Sequence, residues 1–239
     1  MWGWGRIVGY TVVITVVYLV AQLGAILATA AVMAVLIPGF QVMPWLERQA
    51  TSDGVALSAA LLAAAMLCIP TAWLLVRAHE KAAWQFMGVR RVERKDMALA
   101  VGAILLFIAI TDPINVYLFD RPLVPQFMKD AYATARKPLL LFVAVAIAAP
   151  VTEELLFRGF LFSALRSRGI RQGWVVLITT LLFTAVHTQY DIHDLTGVLM
   201  LGGLFGAARA RFDSVLPAMA MHAVANTVAF IETAIWMRM

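Results

Sequence analysis

Hydrophobic residues occupy seven long blocks of the chain, and short polar stretches separate these blocks. A bilayer core about 30 Å thick is crossed by about 20 helical residues, so blocks of this length predict membrane-spanning helices. We place the spans at Ile7–Ile37, Val55–Val76, Met97–Leu118, Leu139–Leu165, Trp174–Thr188, Leu195–Ala208 and Val215–Trp236. The pattern predicts an all-α membrane protein, a polytopic bundle of about seven helices. The first block is long enough to contain two spans, which would bring the total to eight.

The composition supports a membrane protein. Of 239 residues, 62% are hydrophobic and 14% are charged, whereas soluble domains are about half apolar and about a quarter charged. This balance disfavours a disordered chain, a collagen-like fibre, a disulfide-rich secreted module and a nucleic-acid-binding domain. The single cysteine, Cys68, cannot form a disulfide within the chain.

The distribution of positive charge predicts the orientation of the bundle. Sorting the 19 Lys and Arg residues onto alternate sides of the spans places twelve on the side of the N-terminus and six on the other, with Arg158 inside a span. Because loops on the cytoplasmic side carry more Lys and Arg, we predict a cytoplasmic N-terminus in the cell membrane. The net charge of +5 then reflects sidedness, and no nucleic acid partner is needed to explain it.

One polar, proline-containing stretch, Asp112–Lys137, interrupts the chain between the third and fourth spans. Ionisable residues are rare in the spans before it and cluster in the spans after it. We therefore predict an N-terminal helical part, residues 1–137, and a functional core of four spans, residues 138–239, with both packed as one unit. Within the sixth span, the GxxxG spacing of Gly202 and Gly206 predicts close packing of two helices.

Three charged residues lie inside the fourth span. Each charge costs about 2.5–3.5 kcal/mol on insertion, so each needs a partner or a function. Glu154 and Arg158 are four residues apart and share a helix face, which predicts an ion pair. Glu153 is rotated by about 100° from that face. Pairing of Glu154 with Arg158 therefore leaves Glu153 as a carboxylate free to act as a general base.

Two further spans carry polar residues at similar depths. A rise of 1.5 Å per residue from the predicted cytoplasmic ends places Glu153 about 20 Å deep, His187 about 24 Å, His222 about 14 Å and Asn226 about 20 Å. A lone histidine inside a membrane is more often a packing residue, but agreement across three helices predicts one polar cavity. We expect the fourth, fifth and seventh spans to enclose it, nearer the outer face.

This set of side chains is suited to the hydrolysis of an amide. A carboxylate and a histidine can deprotonate a water molecule, while an asparagine amide and a second histidine can donate to a developing oxyanion. Covalent catalysis is less well supported, because Cys68 lies in the second span and no serine adjoins the histidines. A zinc site stays open, since Glu and His bind zinc, although no HExxH motif is present.

Other polar residues near the span ends have simpler interpretations. Asp191, His193 and Asp194 follow His187 in a short loop. We interpret this loop as polar and interfacial, with divalent metal binding together with His187 as the alternative. Asp112 is interpreted as a helix terminus that could also line the cavity, and Glu232 as interfacial.

The residues of the fourth, fifth and seventh spans resemble three motifs of a known family. They are Glu153-Glu154-x-x-x-Arg158, Phe183-x-x-x-His187 and His222-x-x-x-Asn226. The motifs are similar to those of the CPBP group of intramembrane proteases, which includes type II CAAX prenyl endopeptidases and bacterial bacteriocin-processing and self-immunity proteins. The resemblance covers roughly residues 139–236.

The resemblance implies a role for each motif residue and a class of substrate. Glu153 would activate water with help from His187, while His222 and Asn226 would stabilise the oxyanion and Glu154 with Arg158 would hold the site together. It implies an endopeptidase that cleaves a membrane-held or lipidated substrate, including prenylated CAAX proteins, with no obligatory metal cofactor.

Three alternatives remain open at this stage. They are a metal-dependent endopeptidase at the same site, a non-enzymatic immunity or interaction protein, and a small transporter in which the polar residues form a proton relay. Family members that cleave CAAX proteins have a site open to the cytosol, whereas the depths above place the cavity nearer the outer face. Either the predicted orientation is wrong, the substrate is extracytoplasmic, or the cavity reaches deep from the inside.

Overall fold

The computed structural model describes residues 2–239, which form ten helices and no strand. The all-α fold is therefore confirmed. The helices are α1 (Trp4–Leu36), α2 (Val42–Arg48), α3 (Gly54–Arg77), α4 (Ala83–Phe86), α5 (Arg94–Leu118), α6 (Gln126–Thr134), α7 (Pro138–Ser167), α8 (Gln172–Ala185), α9 (Ile192–Phe212) and α10 (Leu216–Trp236).

Five of these helices are long and apolar enough to cross a membrane, namely α1, α3, α5, α7 and α10. The predicted fifth and sixth spans form α8, which has 14 residues, and α9, which has 21. The long first block forms one continuous helix of 33 residues, so it does not contain a second span. The chain is an integral multi-pass membrane protein.

One end of the bundle carries the described N-terminal residues and three loops. The Trp2 indole N–H donates to Glu80 Oε1 over 2.8 Å. The Val215 backbone N–H donates to the Gly88 carbonyl, also over 2.8 Å. Arg90 pairs with Asp213 at 2.5 Å. These loops are among those that the sequence assigned to the side of the N-terminus, and we call this side the N-terminal end.

The other loops meet at the opposite end of the bundle. There the backbone N–H of Gly54 donates to Thr134 Oγ1 over 2.7 Å, and Arg121 pairs with Asp191. Helix α6 lies in the stretch for which the sequence indicated only a polar break, and it packs against α3 and α10. The connection between the two parts of the chain is therefore folded onto the bundle.

Helix α7 has two π-helical segments, at Ala144–Ala148 and Leu155–Leu161, on either side of the α-helical turn that ends at Glu154. A π segment changes the backbone hydrogen-bond pattern and is frequent at functional sites. In each segment, one carbonyl accepts a bond from another helix. Asn226 Nδ2 donates to the Val145 carbonyl over 2.8 Å, and Arg209 Nε donates to the Arg158 carbonyl over 2.9 Å.

Candidate active site

The ion pair predicted inside the fourth span is present. Arg158 Nη1 lies 3.1 Å from Glu154 Oε1, and both side chains are fully buried. Arg158 Nη2 also donates to the Gly202 carbonyl over 2.9 Å, and the guanidinium carbon lies 4.3 Å from the centroid of the Phe183 ring. A buried pair is tolerated only with good geometry and further hydrogen bonds, and these contacts provide them.

The GxxxG pair on α9 packs against α8, as predicted. A Cβ atom on Gly206 would lie 3.0 Å from Val176 Cγ1. A Cβ atom on Gly202 would lie 3.1 Å from Phe183 Cδ1 and 3.2 Å from Arg158 Nη2. The absence of a side chain at Gly202 therefore does more than allow helix packing, because it lets the buried guanidinium reach the backbone carbonyl.

His222 is held against the buried pair by its Nδ1 atom, which lies 3.0 Å from Glu154 Oε1. A carboxylate oxygen accepts hydrogen bonds, so the neutral ring carries its proton on Nδ1 and leaves Nε2 unprotonated. The ring stacks on Phe205, with centroids 4.9 Å apart and planes 20° apart. Glu154 therefore fixes both the orientation of His222 and the position of its proton.

His187 is oriented in the same way by a backbone group. Its Nδ1 lies 2.7 Å from the Phe183 carbonyl, which only accepts, so the neutral ring again leaves Nε2 unprotonated. The imidazole packs against Phe183 at 4.5 Å and is nearly parallel to the Tyr190 ring at 6.3 Å, with planes 12° apart. The end of α8 thus presents an imidazole nitrogen to the centre of the bundle.

Glu153 lies between the two imidazoles. Its Oε2 atom is 3.9 Å from Nε2 of His187 and 3.9 Å from Nε2 of His222. This oxygen is buried and makes no hydrogen bond with any residue of the described range, 2–239. With a polar contact longer than 3.5 Å, a bridging water is the natural partner. Glu153 Oε2 and the two Nε2 atoms are all acceptors, so a water molecule between Glu153 and one imidazole would donate a hydrogen bond to each.

Asn226 lies on the wall of the same cavity. One N–H of its amide is directed to the Val145 carbonyl at 2.8 Å. The amide nitrogen has two N–H groups, so one remains for another acceptor. The structure therefore brings together the four side chains whose depths agree in the sequence, with Glu154 and Arg158 directly behind them.

A cavity of about 190 Å³ contains this cluster. The sequence predicted walls from the fourth, fifth and seventh spans, which are present as α7, α8 and α10. The wall also includes Leu57 and Leu61 of α3, Phe127 and Met128 of α6, and Val198, Leu201 and Phe205 of α9. The predicted number of enclosing helices was therefore too low, because α3, α6 and α9 also contribute to the wall.

A second cavity, of about 260 Å³, adjoins the first. The two share the wall residues Pro125, Tyr190, Val198, Leu201 and Ala229. Asp112 and Glu232, which the sequence placed at the interface, both line this second cavity. Asp112 therefore lines the neighbouring cavity and not the one around Glu153. Its interpretation as a helix terminus is wrong, because α5 continues past it to Leu118.

The acidic loop after His187 makes contacts within the chain. Asp191 caps α9 by accepting the Asp194 backbone N–H over 2.9 Å, and it pairs with Arg121. These two contacts hold the pKa of Asp191 below its usual range, with the backbone bond as the larger cause. His193 Nε2 lies 3.2 Å from Asn115 Oδ1. This arrangement favours the interpretation of an interfacial polar loop.

The carboxylate and imidazole groups of the cavity are chemically suited to zinc. However, across residues 2–239 no group of three or more His, Cys, Asp or Glu side chains is arranged to hold a metal ion. The side chains of the described residues therefore do not match the ligand set of a resident zinc ion.

Arg209 supports the site, although the sequence indicated only a loop charge. Its side chain is 5% exposed, and besides the Arg158 carbonyl it binds Asp213 Oδ1 at 3.0 Å and Ser163 Oγ at 3.3 Å. Its guanidinium carbon also lies 4.8 Å from the centroid of the Phe162 ring. The carbonyl that it binds lies in a π segment, and the residue pattern of the chain gives no signal for that segment.

Gly88 provides a test of this support. Its φ of +75° favours glycine, and an added Cβ would lie 2.7 Å from Arg209 Nη2. We expect the free energy of unfolding in detergent to fall by about 1–3 kcal/mol more in Gly88→Ala than in Gly169→Ala, the usual cost of inserting an atom into filled space. Gly169→Ala is the matched control, since Gly169 has φ +80° and no neighbour within 4 Å of the added atom. Equal losses in the two variants would argue against the contact with Arg209.

The fold and the site together define a polytopic membrane protein with a cluster of polar side chains enclosed between its helices. Residues 135–228 match the family model described as "Type II CAAX prenyl endopeptidase Rce1-like". This segment contains all seven residues named in the three motifs, and the match confirms the resemblance to the CPBP group. Residues 135–228 are therefore the part of this chain that is similar to the CAAX-type endopeptidases.

One relative extends the similarity without adding a function. An "Uncharacterized 24.3 kDa protein" of Escherichia coli is 32% identical to this chain over 125 residues. The aligned part is 49% of this chain and 58% of the relative, so the chain spans little more than half of that protein's length. No solved structure matches the chain.

Proposed function

We propose that this protein is an intramembrane endopeptidase that hydrolyses a peptide bond of a membrane-held substrate. The observation that carries the proposal is the position of Glu153 Oε2. This buried oxygen lies 3.9 Å from Nε2 of both His187 and His222. The wall of the cavity that contains it includes the Asn226 amide. A base, two imidazoles and an amide around one enclosed space are the groups that water-mediated amide hydrolysis needs.

The first step is attack by the water that these acceptors orient. Glu153 removes a proton from the water as general base, and His187 accepts the second hydrogen bond of that water. The water oxygen forms a bond to the carbonyl carbon, and the π electrons of the carbonyl move to its oxygen. This gives a tetrahedral oxyanion and a protonated Glu153.

The second step is collapse of the tetrahedral intermediate. The remaining N–H of Asn226 faces the oxyanion, and His222 donates to it from Nε2 when its ring carries a second proton. As the carbon–nitrogen bond breaks, the proton on Glu153 passes to the leaving amine, which restores the carboxylate. Glu154 and Arg158 keep His222 in position throughout.

The two adjoining cavities support a peptide substrate. The first cavity, about 190 Å³, is smaller than the common range for ligand pockets of about 300–1,000 Å³, but the second extends the space beyond Tyr190 and Leu201. Apolar residues form much of both walls, which suits a membrane-held segment or a lipidated CAAX-type chain end.

The proposal also covers the side of the membrane from which the substrate reaches the cavity. Both cavities lie at the opposite end of the bundle from the N-terminal end. With the N-terminus in the cytoplasm, as the positive-inside rule predicts, the scissile bond is reached from the outer half of the membrane. An extracytoplasmic substrate follows from this arrangement.

The proposal is tested with purified protein in lipid vesicles and a fluorogenic peptide that carries a lipid anchor. We expect hydrolysis above that of vesicles alone, and an equal rate after treatment with a strong chelator. Loss of turnover on chelation, with recovery on addition of zinc, would instead favour the metal-dependent alternative. No hydrolysis across peptides with and without a prenyl group would contradict a peptidase function.

A further inference from the structure

Tyr190 lies at the junction of the two cavities and lines both. It belongs to the loop between α8 and α9, and its ring is held from two sides. The ring is nearly parallel to the His187 imidazole, at 6.3 Å, and meets Phe127 edge-on at 5.9 Å. This packing fixes a phenol next to the imidazole that faces Glu153.

The Tyr190 hydroxyl is available for a ligand. Among residues 2–239, it makes no hydrogen bond with a side chain or a backbone group. Burial, together with the negative charges of Glu153 and Asp194, raises the pKa of Tyr190 to about 12. The phenol therefore keeps its proton at neutral pH and can act as a hydrogen-bond donor.

The site otherwise has few free donors. In the neutral rings, the proton of His187 is directed to the Phe183 carbonyl and that of His222 to Glu154. One N–H of Asn226 is directed to the Val145 carbonyl. The second N–H of Asn226 and the amide of Gln189, which also lines this cavity, remain, whereas an oxyanion is stabilised by several donors that point at it before the reaction begins.

We propose that Tyr190 is a further catalytic residue, whose O–H donates a hydrogen bond to the oxyanion of the tetrahedral intermediate. The inference rests on the proposed peptidase function and adds a donor that does not depend on protonation of a histidine. The O–H bond of the phenol stays intact throughout. The oxyanion accepts the bond when the carbonyl π electrons move to oxygen and releases it when the carbonyl re-forms.

The test is Tyr190→Phe, which keeps the ring packing and removes only the hydroxyl. We expect kcat to fall by about 10²–10³-fold, the usual effect of losing one oxyanion donor, with KM changed by less than about twofold because the donor acts mainly in the transition state. Tyr117→Phe is the matched control, since that side chain is 88% exposed. Its kcat should equal that of the wild type.

A binding measurement separates catalysis from a structural role. A phosphinate analogue of the substrate mimics the charged tetrahedral intermediate, and an uncleavable amide isostere mimics the ground state. We expect Tyr190→Phe to weaken phosphinate binding by the same factor as kcat and to leave isostere binding unchanged. Equal weakening of both ligands, or a large fall in thermal stability, would assign Tyr190 a structural role and overturn the proposal.

The outcomes distinguish failure of the Tyr190 role from failure of the peptidase function. If the wild type hydrolyses the anchored peptide and Tyr190→Phe keeps its kcat, the role of Tyr190 is wrong and the peptidase function stands. If the wild type hydrolyses no peptide, the proposed function fails and the role of Tyr190 fails with it.

Discussion

Replacing Glu153 by glutamine is expected to lower kcat by about 10²–10⁴-fold, the usual contribution of a general base. Glutamine keeps the size of the side chain but cannot take a proton from the water between His187 and His222. The buried pair behind the site is not altered, so the protein should fold normally. The measurement is the rate of hydrolysis of the anchored peptide in vesicles, together with the thermal unfolding of the variant.

A matched control for this substitution is Glu93→Gln. Glu93 is exposed, pairs with Lys95 at 2.8 Å, and directly precedes α5, at the end of the bundle away from the cavity. Its variant should hydrolyse the peptide at the wild-type rate. A rate for Glu153→Gln above half that of the wild type would show that the base lies elsewhere.

Replacing Arg158 by methionine is expected to have the largest effect on stability, a loss of about 3–5 kcal/mol. The substitution leaves the Glu154 carboxylate fully buried without its cation. It also removes the donor to the Gly202 carbonyl and the cation that lies over Phe183. The free energy of unfolding in detergent, from the change in tryptophan fluorescence, measures this loss.

The double variant Glu154→Leu with Arg158→Met shows the cause of the loss. Replacing a buried ion pair by apolar side chains of similar size is often neutral or stabilising, so the double variant should be more stable than Arg158→Met alone. Its hydrolysis should still be weak, because His222 Nδ1 loses the carboxylate that orients it. A single variant as stable as the wild type, or a double variant no more stable than the single, would contradict a role for the buried charge.

The parts of the site that the sequence predicted follow from the fixed geometry of a helix. Spacing of four residues places Glu154 and Arg158 on one face, and a rise of 1.5 Å per residue sets the depth of His187, His222 and Asn226. In a chain with 14% charged residues, a charge inside a span already indicates a partner or a function. The paired charges and the shared level of the polar residues were therefore predictable.

The parts that the sequence did not predict depend on contacts between distant segments. Each π segment of α7 contains a carbonyl that accepts a hydrogen bond from a residue far along the chain. Asn226 donates to the Val145 carbonyl, and Arg209 donates to the Arg158 carbonyl. Helix α6 lies in a polar stretch, and its place over the cavity depends on packing against α3 and α10. Residue spacing contains no information on such contacts.

The sequence by itself determined the membrane-spanning character of this protein, the ion pair within α7 and the depth of the polar side chains, because each follows from helix periodicity and the cost of charge in lipid. Only the tertiary structure decided which nitrogen of each histidine faces Glu153, since that depends on the Phe183 carbonyl and on Glu154. It also decided that Tyr190 joins two cavities. Hydrogen-bond direction and cavity shape depend on how the helices pack against one another. The same pattern of hydrophobic and polar residues along the helices is compatible with many packing arrangements.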